Sequence, residues 1–139
     1  LMDYCDARRL PVVVHCATDD PYVHPFRVET LARLYPHVIF QMAHMGAIWA
    51  ADAAIAVAKR NANVYLDTGI ASSNAVRRAI NEVPDKVIMG ADFPFYMYSM
   101  EQEKIRRAFE YSIHHQEPEV LAALMGGNCQ RVYGITENG

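Results

Sequence analysis

The chain has 139 residues, of which 52% are hydrophobic and 21% are charged, and its net charge at pH 7 is −3. This composition is typical of one globular domain and excludes a disordered chain. A pI near 6.0 provides no basic surface for nucleic acid, and no apolar stretch reaches the roughly 18 residues that a membrane span needs. We therefore expect a protein that binds neither nucleic acid nor a membrane.

The first residues and the cysteines bear on where the protein acts. The chain opens on Leu1 and not on methionine, and acidic Asp3 and Asp6 stand where a signal peptide would be basic. We expect a piece of a longer chain, without a signal peptide. The three cysteines are scattered and form no C-x-x-C pair, which favours reduced thiols and a cytoplasmic location.

Short apolar runs alternate with longer amphipathic segments along the chain. The runs predict strands at 12–14, 38–42, 63–67 and 86–90. The segments predict helices at about 3–10, 26–35, 48–60, 72–82, 99–115 and 118–126, with one more short helical turn at 128–134. Runs of β-branched residues such as 12–14 are typical of strands in a parallel sheet. The pattern thus indicates four strands, each followed by a helix.

The spacing of these units favours part of a barrel. The strand ends at His15, His44, Asp67 and Asp92 are separated by 29, 23 and 25 residues. A barrel of eight such units needs about 250 residues, roughly 31 for each unit, so this chain supplies about half. A doubly wound open sheet is the alternative, but it usually has a glycine-rich phosphate turn, and no G-x-G-x-x-G occurs here. We predict an α/β fold with about four units of a (β/α)8 TIM barrel, a single partial domain over 1–139.

Polar residues stand at the ends of these strands. In a barrel, polar residues at the carboxyl ends of strands point into one shared mouth, where chemistry is done. His15 and His44 carry imidazole, a common metal ligand, and Asp92 carries a carboxylate that can bind a metal or act as a base. Taken singly, each has a structural explanation, such as a rim histidine satisfied by a backbone carbonyl or a cap for the following turn. Taken together, they favour an active site.

These motifs resemble the amidohydrolase superfamily of metal-dependent TIM barrels, and most closely the amidohydrolase-related branch that contains hydrolases and non-oxidative decarboxylases. The matching segments are 11–15 for its fifth strand, 40–46 for its sixth, 63–69 for its seventh, 87–94 for its eighth and 127–134 for its closing Asn-x-x-Arg helix. The resemblance covers nearly the whole chain. It implies that the chain is the C-terminal half of the barrel, with strands five to eight.

The resemblance also implies roles for the matching residues. His15 would be a metal ligand from strand five, and Asp92 a ligand from strand eight that also accepts a proton from water. His44 would be the acid/base group of the pocket or a further ligand. A divalent metal ion, Zn²⁺ before others, lowers the pKa of its water toward about 7. The implied activity is hydrolysis of a C–N or C–O bond, and decarboxylation of a small carboxylic acid is the alternative.

One part of the family pattern is missing. The family's first strand carries a His-x-His pair that supplies two ligands, and this sequence contains no His-x-His. His15 and Asp92 would offer two protein bonds, whereas a catalytic zinc usually has at least three. We expect weak metal binding and no useful catalysis from this chain alone. A third interpretation is therefore a half-barrel that assembles with a missing N-terminal half or forms a homo-oligomer.

Further residues are candidates for contacts with a small-molecule substrate. Asp67 could line the pocket from strand seven or simply cap the next turn, and the sequence leaves both open. Phe93 and Phe95 follow Asp92 and could form an apolar pocket wall or cover a hydrophobic seam. Cys16 lies beside His15, but no residue is placed to activate its thiol, so we expect a buried structural side chain.

Overall fold

A computed structural model describes residues 1–135 and contains a four-stranded parallel sheet in the order β1-β2-β3-β4. The strands are β1 (Val12–Ala17), β2 (Phe40–Ala47), β3 (Val64–Asp67) and β4 (Val87–Ile88). The helices are α1 (Met2–Arg8), α2 (Pro25–Leu34), α3 (Ala51–Arg60), α4 (Ser73–Glu82), α5 (Tyr98–Glu110), α6 (Pro118–Ala122) and α7 (Asn128–Tyr133). Because every strand is parallel to its neighbour and is followed by a helix, the prediction of four βα units is confirmed.

The register of the sheet places its residues on two faces. The covered face consists of fully buried apolar side chains that pack with helices α2, α3 and α4 into the core: Phe40, Met42, Val64 and Leu66. The open face carries the alternate residues: Val13, His15, Gln41, Tyr65 and Asp67. Side chains alternate between the two faces along a strand. The polar residues of these strands therefore lie on the open face, and the apolar residues between them lie on the covered face.

The second strand differs from its prediction because its backbone is irregular. It begins at Phe40 and continues past His44 to Ala47, whereas the sequence predicted 38–42. His44, Met45 and Gly46 have φ values of 68°, 40° and 78°. The pairing with β1 shifts at this point and resumes where Ala17 lies opposite Ala47. Such a bulge re-aims the side chains that it contains, and here one of them is His44.

Two further predicted elements are shorter than expected. The last strand has two residues, because it pairs with β3 only through Val87 and Ile88. The long helix predicted over 99–115 ends at Glu110, where the Ser112 hydroxyl donates a hydrogen bond to the Phe109 carbonyl at 2.7 Å. The N-cap prediction for α4 is confirmed, since Ser72 Oγ accepts a hydrogen bond from the Ala75 N–H at 3.2 Å.

The C-terminal segment is hydrogen-bonded to the last strand and to the turn before it. The predicted helix over 118–126 is interrupted at Gly126, whose φ of 156° no helix contains, and the chain continues as α7. Asn128 at the start of α7 donates hydrogen bonds to the carbonyls of Pro84 and Val87, both at 2.8 Å. The Tyr133 hydroxyl donates to Gln41 Oε1 on the open face.

Among the helices of residues 1–135, none has the length and apolar character to cross a membrane.

Candidate active site

The carboxyl ends of the four strands form one edge of the sheet, where the backbone is strained. Five residues other than glycine have a positive φ within 1–135. Four of them lie at this edge: His44, Met45, Ile70 and Asp92. Left-handed backbone at such residues costs on the order of 1–3 kcal/mol each and clusters at functional sites. The strain therefore marks the same edge that the sequence pattern identified.

His44 is the most firmly held of the predicted site residues. Its side chain is buried, with 8% of the residue exposed. Its Nδ1 atom lies 3.2 Å from the carbonyl oxygen of Gly69, in the segment between β3 and α4. A carbonyl oxygen only accepts hydrogen bonds, so Nδ1 carries the hydrogen and donates it. In the neutral ring this leaves Nε2 without a proton, ready to accept one or to bind an ion.

His15 stands next to His44 in a very different environment. The centres of the two rings are 5.0 Å apart, and the rings meet edge to face at 72°. About half of the His15 side chain is exposed (48%), and its Nε2 lies 3.1 Å and 3.2 Å from the two carboxylate oxygens of Asp19. The hydrogen bond from His15 lowers the pKa of the Asp19 carboxyl. The exposed Asp19 is thus the only polar side chain that fixes His15 among the described residues.

The two histidines line one cavity of about 370 Å³. Its other walls include Asp19, Ile48, Trp49 and Ile70. Trp49 is 86% exposed at the rim, although apolar residues of this size are usually buried. The cavity therefore combines two imidazoles with an apolar, partly aromatic wall, an arrangement that suits a small organic molecule.

The structure places Asp92 beside this cavity and not within it. Asp92 lines a neighbouring cavity of about 380 Å³ together with Ile70, Phe95 and Tyr96. Ile70 borders both cavities and stands between them. Phe93 and Phe95 are 72% and 82% exposed, so neither covers a buried seam within the described residues. The predicted aromatic wall lies next to Asp92, but on an open surface.

Asp67 is engaged inside the sheet. Its Oδ1 accepts a hydrogen bond from the Gly69 N–H, and its Oδ2 accepts one from Gln41 Nε2, both at 2.8 Å. Burial raises the pKa of the Asp67 carboxyl, while these hydrogen bonds and the nearby His44 act in the opposite direction. Asp67 lines neither of the two cavities. Its predicted contact with substrate stays a prediction.

The residues of this edge do not by themselves make a complete metal centre. Within 1–135, no group of three or more histidine, cysteine, aspartate or glutamate side chains is arranged to hold a metal ion. His15 and His44 face one cavity and Asp92 faces the other. A catalytic zinc usually takes three protein ligands. The described residues alone therefore do not complete a metal site, and the predicted zinc site remains a prediction.

Some residues of the edge were not found from the sequence. Asp19 follows His15 by four residues in a loop, and no periodic pattern indicates that its carboxylate turns back onto the ring. Gly69 contributes only its backbone, which has no side-chain signal. Trp49, as the single tryptophan of the chain, was a possible signal of a pocket wall. Cys16 is fully buried, and burial raises the pKa of its thiol to about 12, consistent with the expected structural role.

Comparisons with known proteins agree on the class of fold. An uncharacterized TIM-barrel protein from Bordetella bronchiseptica is similar in structure, with a TM-score of 0.76 and 19% identity over 96% of this chain and 48% of that one. A 2,6-dihydroxybenzoate decarboxylase has a TM-score of 0.66 and 14% identity, over 99% of this chain and 54% of that one. The 5-carboxyvanillate decarboxylase of Sphingomonas paucimobilis has a TM-score of 0.62 and 17% identity, over 97% of this chain and 52% of that one. The chain therefore has the fold of half a TIM barrel.

The family assignment rests on the sequence itself. The family described as Amidohydrolase matches residues 1–135, so the chain belongs to the amidohydrolase family. No curated protein gives a significant match. The chain spans about half the length of the solved structures to which it is similar. The predicted family and the predicted half-barrel fold are both confirmed.

Proposed function

We propose that this chain is the C-terminal half of an amidohydrolase-type enzyme, a single partial domain, in which His44 transfers protons to and from a small-molecule substrate. The observation that carries the proposal is the setting of His44. The ring is buried, lines the cavity and donates its Nδ1 hydrogen to Gly69 O. An imidazole with one nitrogen fixed by a backbone carbonyl presents the other for acid/base work near neutral pH.

Hydrolysis of a C–N or C–O bond is the lead activity. Water attacks the carbonyl carbon, the bond to nitrogen or oxygen breaks, and the leaving atom takes a proton. We assign the proton transfers to His44 and a second acid/base role to Asp92. Phe93 and Phe95, on the surface beside Asp92, are proposed to contact the substrate when the mouth of the barrel is complete.

Decarboxylation is the second candidate, because two structurally similar proteins are named as decarboxylases of aromatic acids. Exposed aromatic side chains border both cavities, Trp49 at the first and Phe95 and Tyr96 at the second, and aromatic faces suit a planar acid. In this reaction the C–C bond to the carboxylate breaks, CO₂ leaves, and the ring carbon takes a proton. For this step the Nε2 atom of His44 first takes up a proton from solvent and then passes it to the ring carbon.

A divalent metal ion, with Zn²⁺ as the first candidate, belongs to the proposal only for a completed barrel. The amidohydrolase family is generally metal-dependent. We propose that His15 and Asp92 each contribute a ligand and that the remaining ligands come from outside the described residues. When bound, such an ion supplies an activated water and polarises the substrate. A cytoplasmic location, where the three cysteines stay reduced, completes this proposal.

The third candidate is a half-barrel that does no chemistry until it assembles. Its supporting observation is Val13, which is 57% exposed on the open face of a strand that pairs only with β2 within the described sheet. Exposed strand edges of this kind are normally covered. The covering element is proposed to be the N-terminal half of the barrel or a second copy of the chain.

One experiment separates the two reactions. The complete protein is incubated with aromatic carboxylic acids, such as 2,6-dihydroxybenzoate and 5-carboxyvanillate, and in parallel with esters and amides of small acids. Release of CO₂ with a decarboxylated product supports the decarboxylase, and release of an alcohol or amine supports the hydrolase. If neither reaction is affected by His44→Ala, the proposed role of His44 is wrong.

A second experiment addresses assembly. We expect the 139-residue chain alone to associate with itself or with a separately produced N-terminal half, and to retain much less than one equivalent of metal. A monodisperse monomer that holds one metal ion per chain would contradict the incomplete-site argument. Reading the coding sequence upstream of Leu1 for a strand ending in His-x-His is the matching genetic check.

A further inference from the structure

The hydrogen bond that fixes His44 depends on a residue that is itself held in place. Both backbone polar groups of Gly69 are hydrogen-bonded. Its carbonyl accepts from His44 Nδ1 at 3.2 Å, and its N–H donates to Asp67 Oδ1 at 2.8 Å. Asp67, Gly69 and His44 thus form a continuous chain of contacts from the third strand to the bulge of the second.

The Asp67 carboxylate has little freedom to move. Its second oxygen accepts from Gln41 Nε2 at 2.8 Å, and Gln41 in turn accepts from the Tyr133 hydroxyl. The carboxylate lies directly over Gly90, where an added Cβ atom would be 2.2 Å from Oδ2. Only glycine leaves room at that position. The side chain is therefore fixed by two hydrogen bonds and by the backbone at Gly90, just after β4.

The segment that carries Gly69 is also anchored from the opposite side. Lys104 Nζ donates hydrogen bonds to the carbonyls of Thr68 and Ala71, at 2.8 Å and 2.9 Å. Lys104 is paired with Glu101 at 2.7 Å, and 14% and 4% of these two side chains are exposed. The peptide unit that joins Thr68 to Gly69 is therefore held at both of its polar groups, the carbonyl by Lys104 and the N–H by Asp67, and this unit directly precedes the Gly69 carbonyl.

We propose that Asp67 is a positioning residue that holds the Gly69 carbonyl against His44 and so keeps the neutral imidazole in its Nδ1–H form. This inference deepens the proposed function, since Nε2 is the atom assigned to proton transfer. It gives Asp67 a role without contact to the substrate. It also explains why a carboxylate in the sheet interior is surrounded by donors.

The test reads the tautomer directly. In the 139-residue chain labelled with ¹⁵N-histidine, long-range ¹H–¹⁵N spectra at pH 8 distinguish Nδ1–H from Nε2–H, and the His44 signal is assigned by its loss in His44→Gln. We expect mainly Nδ1–H in the unmodified chain. Asp67→Ala should shift the ratio of the tautomers toward Nε2–H by about fivefold, the effect of one ordinary hydrogen bond. Gly90→Ala, which displaces the carboxylate without removing it, should shift the ratio in the same direction.

Two matched variants exclude a merely structural effect. Asp67→Asn keeps an oxygen for the Gly69 N–H, and Gln41 can turn its amide to accept from the new Nδ2, so the Nδ1–H form should be retained. The Cβ atom of Asp92 lies near Gly69, but the Asp92 carboxylate makes no side-chain hydrogen bond within 1–135, so Asp92→Ala should leave the tautomer unchanged. Circular dichroism identifies which variants are folded.

An unchanged tautomer in folded Asp67→Ala or Gly90→Ala overturns the proposal, and so does a shift in Asp67→Asn as large as that in Asp67→Ala. If Asp67→Ala does not fold, Gly90→Ala and Asp67→Asn still decide between these outcomes. Turnover is not needed for this result. If the tautomer shifts as expected but His44→Ala leaves the activity of the complete protein intact, the positioning role stands and the proposed function fails.

Discussion

The two faces of the sheet differ in how much of their side chains is exposed. On the covered face, Phe40, Met42 and Leu66 are completely buried against helices. On the open face, Val13 is 57% exposed, and His15 has its polar contact with the exposed Asp19. Within the first strand the exposed His15 is directly followed by the fully buried Cys16. The comparison teaches that the stability of this half-barrel comes from one face, while its chemistry is concentrated at the edge of the other.

The largest difference we expect is in thiol reactivity at the first strand. Cys16 is fully buried beside the exposed His15, and burial raises its thiol pKa from 9.0 to about 12. At pH 8 this lowers the thiolate fraction about a thousandfold, and the thiolate is the reactive form. A thiol reagent should therefore modify Cys16 only when the chain unfolds. Mass spectrometry of peptides after brief labelling measures the extent of modification, with the partly exposed Cys129 as the internal reference. Rapid labelling of Cys16 in the folded chain would contradict its burial on the covered face.

The next difference concerns the free energy of unfolding. Leu66→Ala removes a completely buried side chain from the covered face, which should cost about 2–5 kcal/mol. Val13→Ala on the open face should change the stability of this chain by no more than about 0.5 kcal/mol. Urea unfolding of both variants measures the contrast. Equal losses would contradict the division into two faces, and a larger cost of Val13→Ala in a complete barrel would indicate that the open face is covered there.

A smaller effect is expected from the ion pair that joins two outer helices. Glu29 on α2 accepts hydrogen bonds from Arg60 Nε and Nη2 at 2.7 Å and 2.8 Å, and from Asn61 Nδ2 at 3.1 Å. Glu29→Gln should cost about 1–3 kcal/mol at pH 7, because it weakens charge-assisted bonds to a nearly buried carboxylate. Arg33, which is more exposed and also contacts Glu29, provides the control: Arg33→Gln should cost less than Glu29→Gln. The reverse order would show that the pair with Arg60 is not the main contact.

The same pair gives a pH dependence. The hydrogen bond from Arg60 lowers the pKa of Glu29 to about 2, below its unfolded value of about 4.3. A depressed carboxyl pKa stabilises the folded state above the unfolded pKa, and this contribution is lost as the pH falls toward 2. Stability should therefore decrease between about pH 5 and pH 2, and Glu29→Gln should reduce this slope. Urea midpoints of both proteins across that range measure the difference; parallel curves would contradict the assignment.

Most of the fold could be predicted from the sequence, for a physical reason. Strands such as β1 and β3 place apolar residues on the covered face, and a buried parallel sheet demands that pattern. The exact course of the second strand could not be predicted, because the left-handed backbone at His44 and Met45 leaves no mark in hydrophobicity. Gly46 was the one visible hint, since an added Cβ there would lie 2.5 Å from Ala50 O.

The candidate site was predictable where it depends on strands and not where it depends on loops. His15 and His44 lie near the carboxyl ends of neighbouring strands, and the centres of their rings are 5.0 Å apart. Asp92 comes after a two-residue strand, so its position is set by the following loop, and it faces a separate cavity. The contacts of Asp19 and Gly69 depend on backbone turns that no spacing rule describes.

The contrast between the two histidines provides the most direct test of the account. His44 is buried and held by Gly69, whereas His15 is held by an exposed carboxylate. In the complete protein, His44→Ala should lower turnover at least about a hundredfold, the usual minimum for a general acid or base, while metal content stays the same. His15→Ala should lower metal content and turnover together. Loss of metal in His44→Ala, or turnover unaffected by it, would contradict the claim that His44 is the proton-transfer group.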